Sequence, residues 1–202
     1  MSEPTALRAA RYLRSVHELS QLPPDVGFEA AICGRSNAGK SSAINAICDQ
    51  GKLARTSKTP GRTQQLVYFE VTPERHLVDL PGYGYAKVPA ALRDHWREVL
   101  EGFFRHRQAL RGLLVVMDIR HPLKDFDRQM LAFASARRLP AHILLTKADK
   151  LGRGARDKTR LEVARALGGK VGVQVFSAPE GIGLEQARAV LCDWLQLPPP
   201  TA

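Results

Sequence analysis

The stretch that most constrains this chain is Gly34-Arg35-Ser36-Asn37-Ala38-Gly39-Lys40-Ser41. It fits G-x-x-x-x-G-K-[ST], a loop that wraps phosphate. Residues 28–33 before it form a short apolar run of strand character. Residues 42–48 after it place Ile44, Ile47 and Cys48 at helical spacing. A strand feeding a glycine loop feeding a helix gathers free N–H groups and positive potential at one point, which suits an anion. The glycines let the main chain close around it. In that arrangement Gly34 to Gly39 form the cradle, Lys40 reaches the β- and γ-phosphates, and the Ser41 hydroxyl ligates magnesium. A glycine turn with a chance lysine is the competing reading, and it weakens as the rest of the chain is read.

Strand-like and helix-like segments alternate to the end. Residues 65–71 and 76–80 read as an antiparallel hairpin about the turn 72–75. Pro89 sits where it suits the first turn of a helix. Leu92, Trp96, Val99, Leu100 and Phe103 then repeat at three and four to about residue 107. Residues 113–117 and 141–145 are continuous apolar runs, the mark of strands buried on both faces. Helices are expected over 125–138, 156–167 and 184–195, and a last strand over 171–176. The class is therefore a three-layer α/β sandwich with six strands, mostly parallel, and one antiparallel edge strand. Residues 1–24 read as a weakly helical extension, 25–197 as one nucleotide-binding domain, and 198–202 as a tail.

In such sheets ligands sit beyond the carboxyl ends of the strands. Asp79-Leu80-Pro81-Gly82 follows the strand at 76–78, placing Asp79 to hold magnesium through water and the Gly82 N–H to meet a γ-phosphate. Thr146-Lys147-Ala148-Asp149 follows 141–145. A carboxylate at Asp149 accepts from guanine N1–H and its exocyclic amine, whereas adenine presents the opposite pattern. Lys147 can lie over the base plane. After the last strand, which ends at Phe176, comes Ser177-Ala178, with backbone able to donate to the guanine carbonyl. An ATP-using P-loop enzyme is the rival reading, and Asp149 argues against it.

The charge balance adds a partner class. Thirty Lys and Arg face twenty Asp and Glu, a net charge of +10. A domain this basic suggests a polyanion, most simply RNA. Lys52, Arg55, Lys58 and Arg62 cluster in one polar loop near Arg35, and Arg105, Arg107 and Arg111 follow the amphipathic helix. Both sets are candidates for phosphate contact, with solvated loops as the alternative. No apolar run approaches the roughly 20 residues of a membrane span, and the start lacks a signal-peptide core, so the expectation is a cytoplasmic protein with no membrane partner. Cys33, Cys48 and Cys192 are scattered without ligand spacing and read as small buried apolar residues.

With these pieces in place the chain resembles the EngB (YihA) family of bacterial GTP-binding proteins, within the translation-factor-like GTPases. The resemblance rests on residues 34–42, on Lys58-Thr59-Pro60-Gly61-Arg62-Thr63-Gln64, on residues 79–88, on Asp118-Ile119-Arg120-His121, and on the two stretches around Asp149 and Ser177. It spans roughly residues 25–197, and Ala43 stands where the family usually has leucine. It implies a P-loop GTPase fold with GTP or GDP and magnesium as ligands. It implies that Gly61, Arg62, Thr63, Gln64 and Gln65 line the nucleotide, that Thr63 completes the magnesium shell beside Ser41 and Asp79, and that residues 83–87 form a second switch. Thr59 is the competing threonine.

Lys40, Thr63 and Gly82 are thereby the expected catalytic groups. Tyr83 stands where other GTPases carry the glutamine that orients the attacking water, so hydrolysis should be slow. In related GTPases an asparagine placed like Asn37 ligates potassium; a local turn cap is the alternative. The resemblance further implies a monomer acting on the assembling large ribosomal subunit or its rRNA, with an effect on cell division and septation. A scaffold that binds nucleotide without turnover is the second rival.

Overall fold

The computed structural model describes residues 5–54, 65–82 and 90–199. Its strands are β1 (Arg11–Val16), β2 (Phe28–Gly34), β3 (Leu66–Thr72), β4 (Arg75–Asp79), β5 (Leu110–Asp118), β6 (Ala141–Thr146) and β7 (Gly172–Val175). The helices are α1 (Lys40–Ile47), α2 (Ala90–His106), α3 (Asp125–Ala136), α4 (Arg153–Ala166) and α5 (Leu184–Leu195). The strands form one sheet in the order β1-β3-β4-β2-β5-β6-β7. Pairing is parallel from β4 through β2, β5 and β6 to β7, and antiparallel for β4 with β3 and β3 with β1.

The central strands are apolar throughout because each face of the sheet carries its own core. On β5, Leu113, Val115 and Met117 join Trp96 and Phe103 of α2, Met130 of α3 and Val163 of α4 on one side. Leu114 and Val116 point to the other side, where Ile44 of α1 and Leu191 of α5 lie. The three-layer sandwich is therefore as expected. Cys33, Cys48 and Cys192 are buried in these cores, with burial raising each thiol pKa.

The sheet has seven strands among the described residues, not six. The added one is β1, in the stretch expected to be weakly helical. Arg11 and Glu70, opposite each other, form a two-armed ion pair at 3.0 and 2.5 Å. The register shifts between Tyr12 and Arg14. An extra residue there breaks the alternation that would have marked a strand. The antiparallel pairing falls at this edge, as the hairpin suggested, but β3 lies inside β1.

The second basic cluster also reads differently in three dimensions. Arg107 is buried, and it binds the buried Glu29 of β2 through Nε at 3.0 Å and Nη2 at 2.5 Å. Its Nη1 donates to the Pro23 carbonyl at 2.8 Å. Asp25 accepts from the Gln108 and Ala109 N–H groups at 2.9 and 2.8 Å. Arg107 thus ties the end of α2 to the start of β2 and offers nothing to RNA. Arg111 lies over the Phe28 ring, 5.0 Å from its centroid.

Candidate nucleotide-binding site

The phosphate loop leaves β2 at Gly34 and enters α1 at Lys40. Its shape is set locally. Ala38 N–H donates to the Arg35 carbonyl at 3.0 Å, closing a turn. Asn37 has φ 61° and Gly39 has φ 91°, and the second of these is a conformation that favours glycine. Gly39 caps α1, so the first N–H groups of the helix face the loop. The loop is also tied from outside: Thr146 Oγ1 at the end of β6 is hydrogen-bonded to the Ala38 carbonyl and lies 3.0 Å from the Met117 carbonyl.

Lys40 and Asp79 meet directly as an ion pair, their side chains 13% and 12% exposed. Burial raises the Asp79 carboxyl pKa, and Lys40 opposes that shift. A triphosphate with its magnesium would serve both partners, the ammonium taking phosphate oxygens and the carboxylate the metal's water shell. Leu80 N–H donates to the Ile32 carbonyl at 2.9 Å, which carries Pro81 and Gly82 toward the loop. A Cβ placed on Gly82 would lie 3.5 Å from the Gly34 carbonyl oxygen and 3.6 Å from the Ser36 nitrogen. Ser41 lies in the first turn of α1.

At the far end of the loop, Asp149 sits in a short 3-10 turn, Ala148–Lys150. Ser177 Oγ donates to Asp149 Oδ1 at 2.8 Å, and Lys150 Nζ lies 2.9 Å from Oδ2. These two contacts, Lys150 first, lower the Asp149 pKa, so the carboxylate is an acceptor at neutral pH. Ala148 N–H donates to the Phe176 carbonyl at 3.1 Å, joining the two base-side segments. The Ser177 N–H is committed to the Ile182 carbonyl at 3.0 Å. Of the two backbone donors expected for the guanine carbonyl, Ala178 is the one left.

Lys147 has φ 58°. Its Nζ donates to the Asn37 carbonyl at 2.6 Å and lies 3.0 Å from Asp118 Oδ2. The Asn37 side chain makes no hydrogen bond among the described residues, so the turn-cap role weighed for it is not seen there. A cavity of about 250 Å³ opens beside the loop, lined by Arg35, Asn37, Asp118, Arg120, His121 and Asp127 among others. Asp118 and Arg120 belong to the motif that carries the family resemblance without a stated task, and Asp127, which accepts from the Lys124 N–H at 2.9 Å, is marked by nothing in the sequence. Gln65 lies just ahead of β3. Gly61, Arg62, Thr63 and Gln64, with Thr59, Tyr83 and the other residues of 83–87, lie outside the described residues.

A phosphate loop, an Asp-x-x-Gly segment and a guanine-type Lys-x-Asp segment at the carboxyl ends of one sheet's strands define a P-loop GTP-binding protein. The sequence model of the family described as 50S ribosome-binding GTPase matches residues 29–147. The probable GTP-binding protein EngB of Stenotrophomonas maltophilia (strain K279a) is 60% identical over 195 residues, 95% of this chain and 98% of that one. The probable EngB of Xanthomonas euvesicatoria pv. vesicatoria (strain 85-10) is 58% identical over 195 residues, 95% of this chain and 94% of that one. This chain belongs to the EngB family of GTP-binding proteins. Its fold matches a crystal structure of a probable GTP-binding protein EngB at a TM-score of 0.67 and 19% identity, covering 83% of this chain and 98% of that one. It also matches Era in complex with MgGDPNP and nucleotides 1506–1542 of 16S ribosomal RNA, at a TM-score of 0.65 and 20% identity, over 87% of this chain and 59% of that one.

Proposed function

We propose that this protein is a slow GTPase that acts as a switch on the assembling large ribosomal subunit, docking in its GTP form and leaving after hydrolysis. The observation that carries the reading is the meeting of charges at one end of the sheet. Lys40 and Asp79 are poised for phosphate and magnesium, and Asp149, oriented by Ser177, is poised for guanine. Lys40 and the Gly82 N–H neutralise the γ-phosphate as charge shifts during transfer. Ser41 and Asp79 would hold magnesium, which would supply further positive charge, and Thr63 would join that shell when a γ-phosphate is present. Asn37 would hold a potassium ion that adds positive charge near the phosphates.

Supporting the ribosomal part are the family description, the net charge of +10 and the fold shared with Era. A role in cell division and septation would follow indirectly, through the supply of ribosomes. The protein works as a cytoplasmic monomer. No described helix is long and apolar enough to cross a membrane.

Three measurements test this. GDP should compete for the site and ADP should not; equal competition would restore the ATP-using reading. Co-sedimentation with large ribosomal subunits should be stronger with a non-hydrolysable GTP analogue than with GDP. Phosphate release over many turnovers, with and without subunits, separates the switch from a scaffold. No acceleration by subunits would favour the scaffold.

A further inference from the structure

The Asp118-Ile119-Arg120-His121 stretch at the end of β5 has no part in the proposed function, yet its charges are arranged around the site. The Asp118 side chain is only 15% exposed. Arg120 grips it on one side, Nε to Oδ1 at 2.9 Å and Nη2 to Oδ2 at 2.6 Å, and the Arg120 N–H donates to Oδ1 at 3.0 Å. On the other side Lys147 Nζ lies 3.0 Å from Oδ2 while donating to the Asn37 carbonyl. The chain of contacts runs from the loop after β5, through the guanine segment, into the phosphate loop.

A lysine on a flexible four-carbon stem samples many rotamers, and an ammonium near a phosphate loop is drawn toward the phosphates. Asp118 counters both tendencies. It is a fixed anion, held by a planar fork that leaves it little freedom. It neutralises Lys147 where the stem can cover a base, and leaves Lys40 as the lysine for the phosphates. The Asn37 carbonyl that completes the anchor belongs to a residue in the left-handed region. Without the lysine, that loop conformation loses an outside hold.

We propose that Asp118, braced by Arg120, is a positioning residue for the nucleotide. It fixes Lys147 in the rotamer that covers the guanine plane and fastens the base side of the site to the phosphate loop. The proposal rests on the reading of Lys147 as a base contact. It predicts that Asp118 governs how long the nucleotide stays by acting through Lys147.

The test is release of a fluorescent GDP analogue, chased with excess unlabelled GDP. Asp118→Asn keeps the shape and an acceptor for the Arg120 N–H but removes the charge. It should speed release about tenfold, since charge-assisted hydrogen bonds are roughly twice as strong as neutral ones. Lys147→Ala should speed release by about the same factor. The double variant should release no faster than Lys147→Ala to within about twofold, because Asp118 acts through Lys147. Asp118→Glu, which restores the charge, should recover part of the loss. Asp118→Asn should also lower the unfolding midpoint without nucleotide, because its ion pairs with Arg120 and Lys147 stabilise the fold, but a merely structural role would not make the release effect vanish in the Lys147→Ala background. Effects that multiply in the double variant would overturn the proposal, as would Asp118→Asn releasing within about twofold of the parent. A normal release rate for Lys147→Ala would overturn the base contact as well. Failure of the parent to hold the GDP analogue would instead overturn the nucleotide reading.

Discussion

At the scale of single residues, the site depends on carboxylates whose charge is fixed by neighbours. Asp149 is held ionised by Lys150 and Ser177. Asp149→Asn should weaken guanine nucleotides by about 1.5–3 kcal/mol for each charged hydrogen bond lost. Xanthine nucleotides, with a carbonyl in place of the amine, should gain, and competition titrations would show both. An unchanged preference for guanine would remove Asp149 from the site. Arg120, and after it Lys147, holds the Asp118 carboxyl well below the usual carboxylate range. A depressed folded-state pKa means stabilisation that is complete above the unfolded value of about 3.9 and lost only as acid carries the pH down through the folded value. The stability gap between the parent and Asp118→Asn should therefore stay the same from about pH 8 to pH 5, which denaturant titrations of both proteins at the two ends would check. The motif residues were legible in the sequence because phosphate and guanine each demand particular groups at fixed spacing. Asp118 was not assigned, because its partner Lys147 is distant in sequence and the pairing exists only once β5 and β6 lie side by side with Asp118 opposite Thr146.

At the scale of elements, reading failed where a charge is turned inward or a strand is irregular. Arg107 looked like a surface cation because it ends a helix amid other arginines. Burial of Glu29 on a neighbouring strand decides otherwise, and nothing near Arg107 in sequence announces it. Breaking a buried pair from one side leaves an uncompensated charge, which typically costs about 3–5 kcal/mol. For a chain of this length that lowers the unfolding midpoint by about 6–20 °C. Arg107→Met should show this by calorimetry, while GDP affinity measured well below the midpoint stays near the parent's. A shift of less than about 2 °C would mean that the pair is dispensable. The central strands, by contrast, were legible almost to their ends, since continuous apolar runs such as Leu113–Met117 have no other stable home than a sheet covered on both faces. Strand β1 escaped because Arg11 and Arg14 interrupt it and the shift at Leu13 spoils its period.

At the scale of the whole molecule, the sheet divides labour: one end carries nucleotide groups, the other the Glu29–Arg107 brace. Turnover belongs to this scale, since it needs both ends of the phosphate loop. On the proposal that Asn37 holds potassium, GTP hydrolysis should run faster in potassium than in sodium, and Asn37→Ala should erase the difference. The gain should appear in turnover more than in affinity, because the ion acts where charge develops. Equal rates in the two salts would end the idea for the isolated protein. Removal of residues 1–17 should uncover the β3 edge and make the chain aggregate on warming, as light scattering would report; a deletion that stays clear would show that β3 is protected otherwise. The place of β1 also has a temporal side. It precedes β3 in the chain, yet it can seat only against β3, which begins at Leu66, and β3 is set in turn by its hairpin with β4. Strand β1 is thus obliged to wait for two strands that follow it, and anything fused ahead of it is carried on a sheet edge whose partner strand is made later.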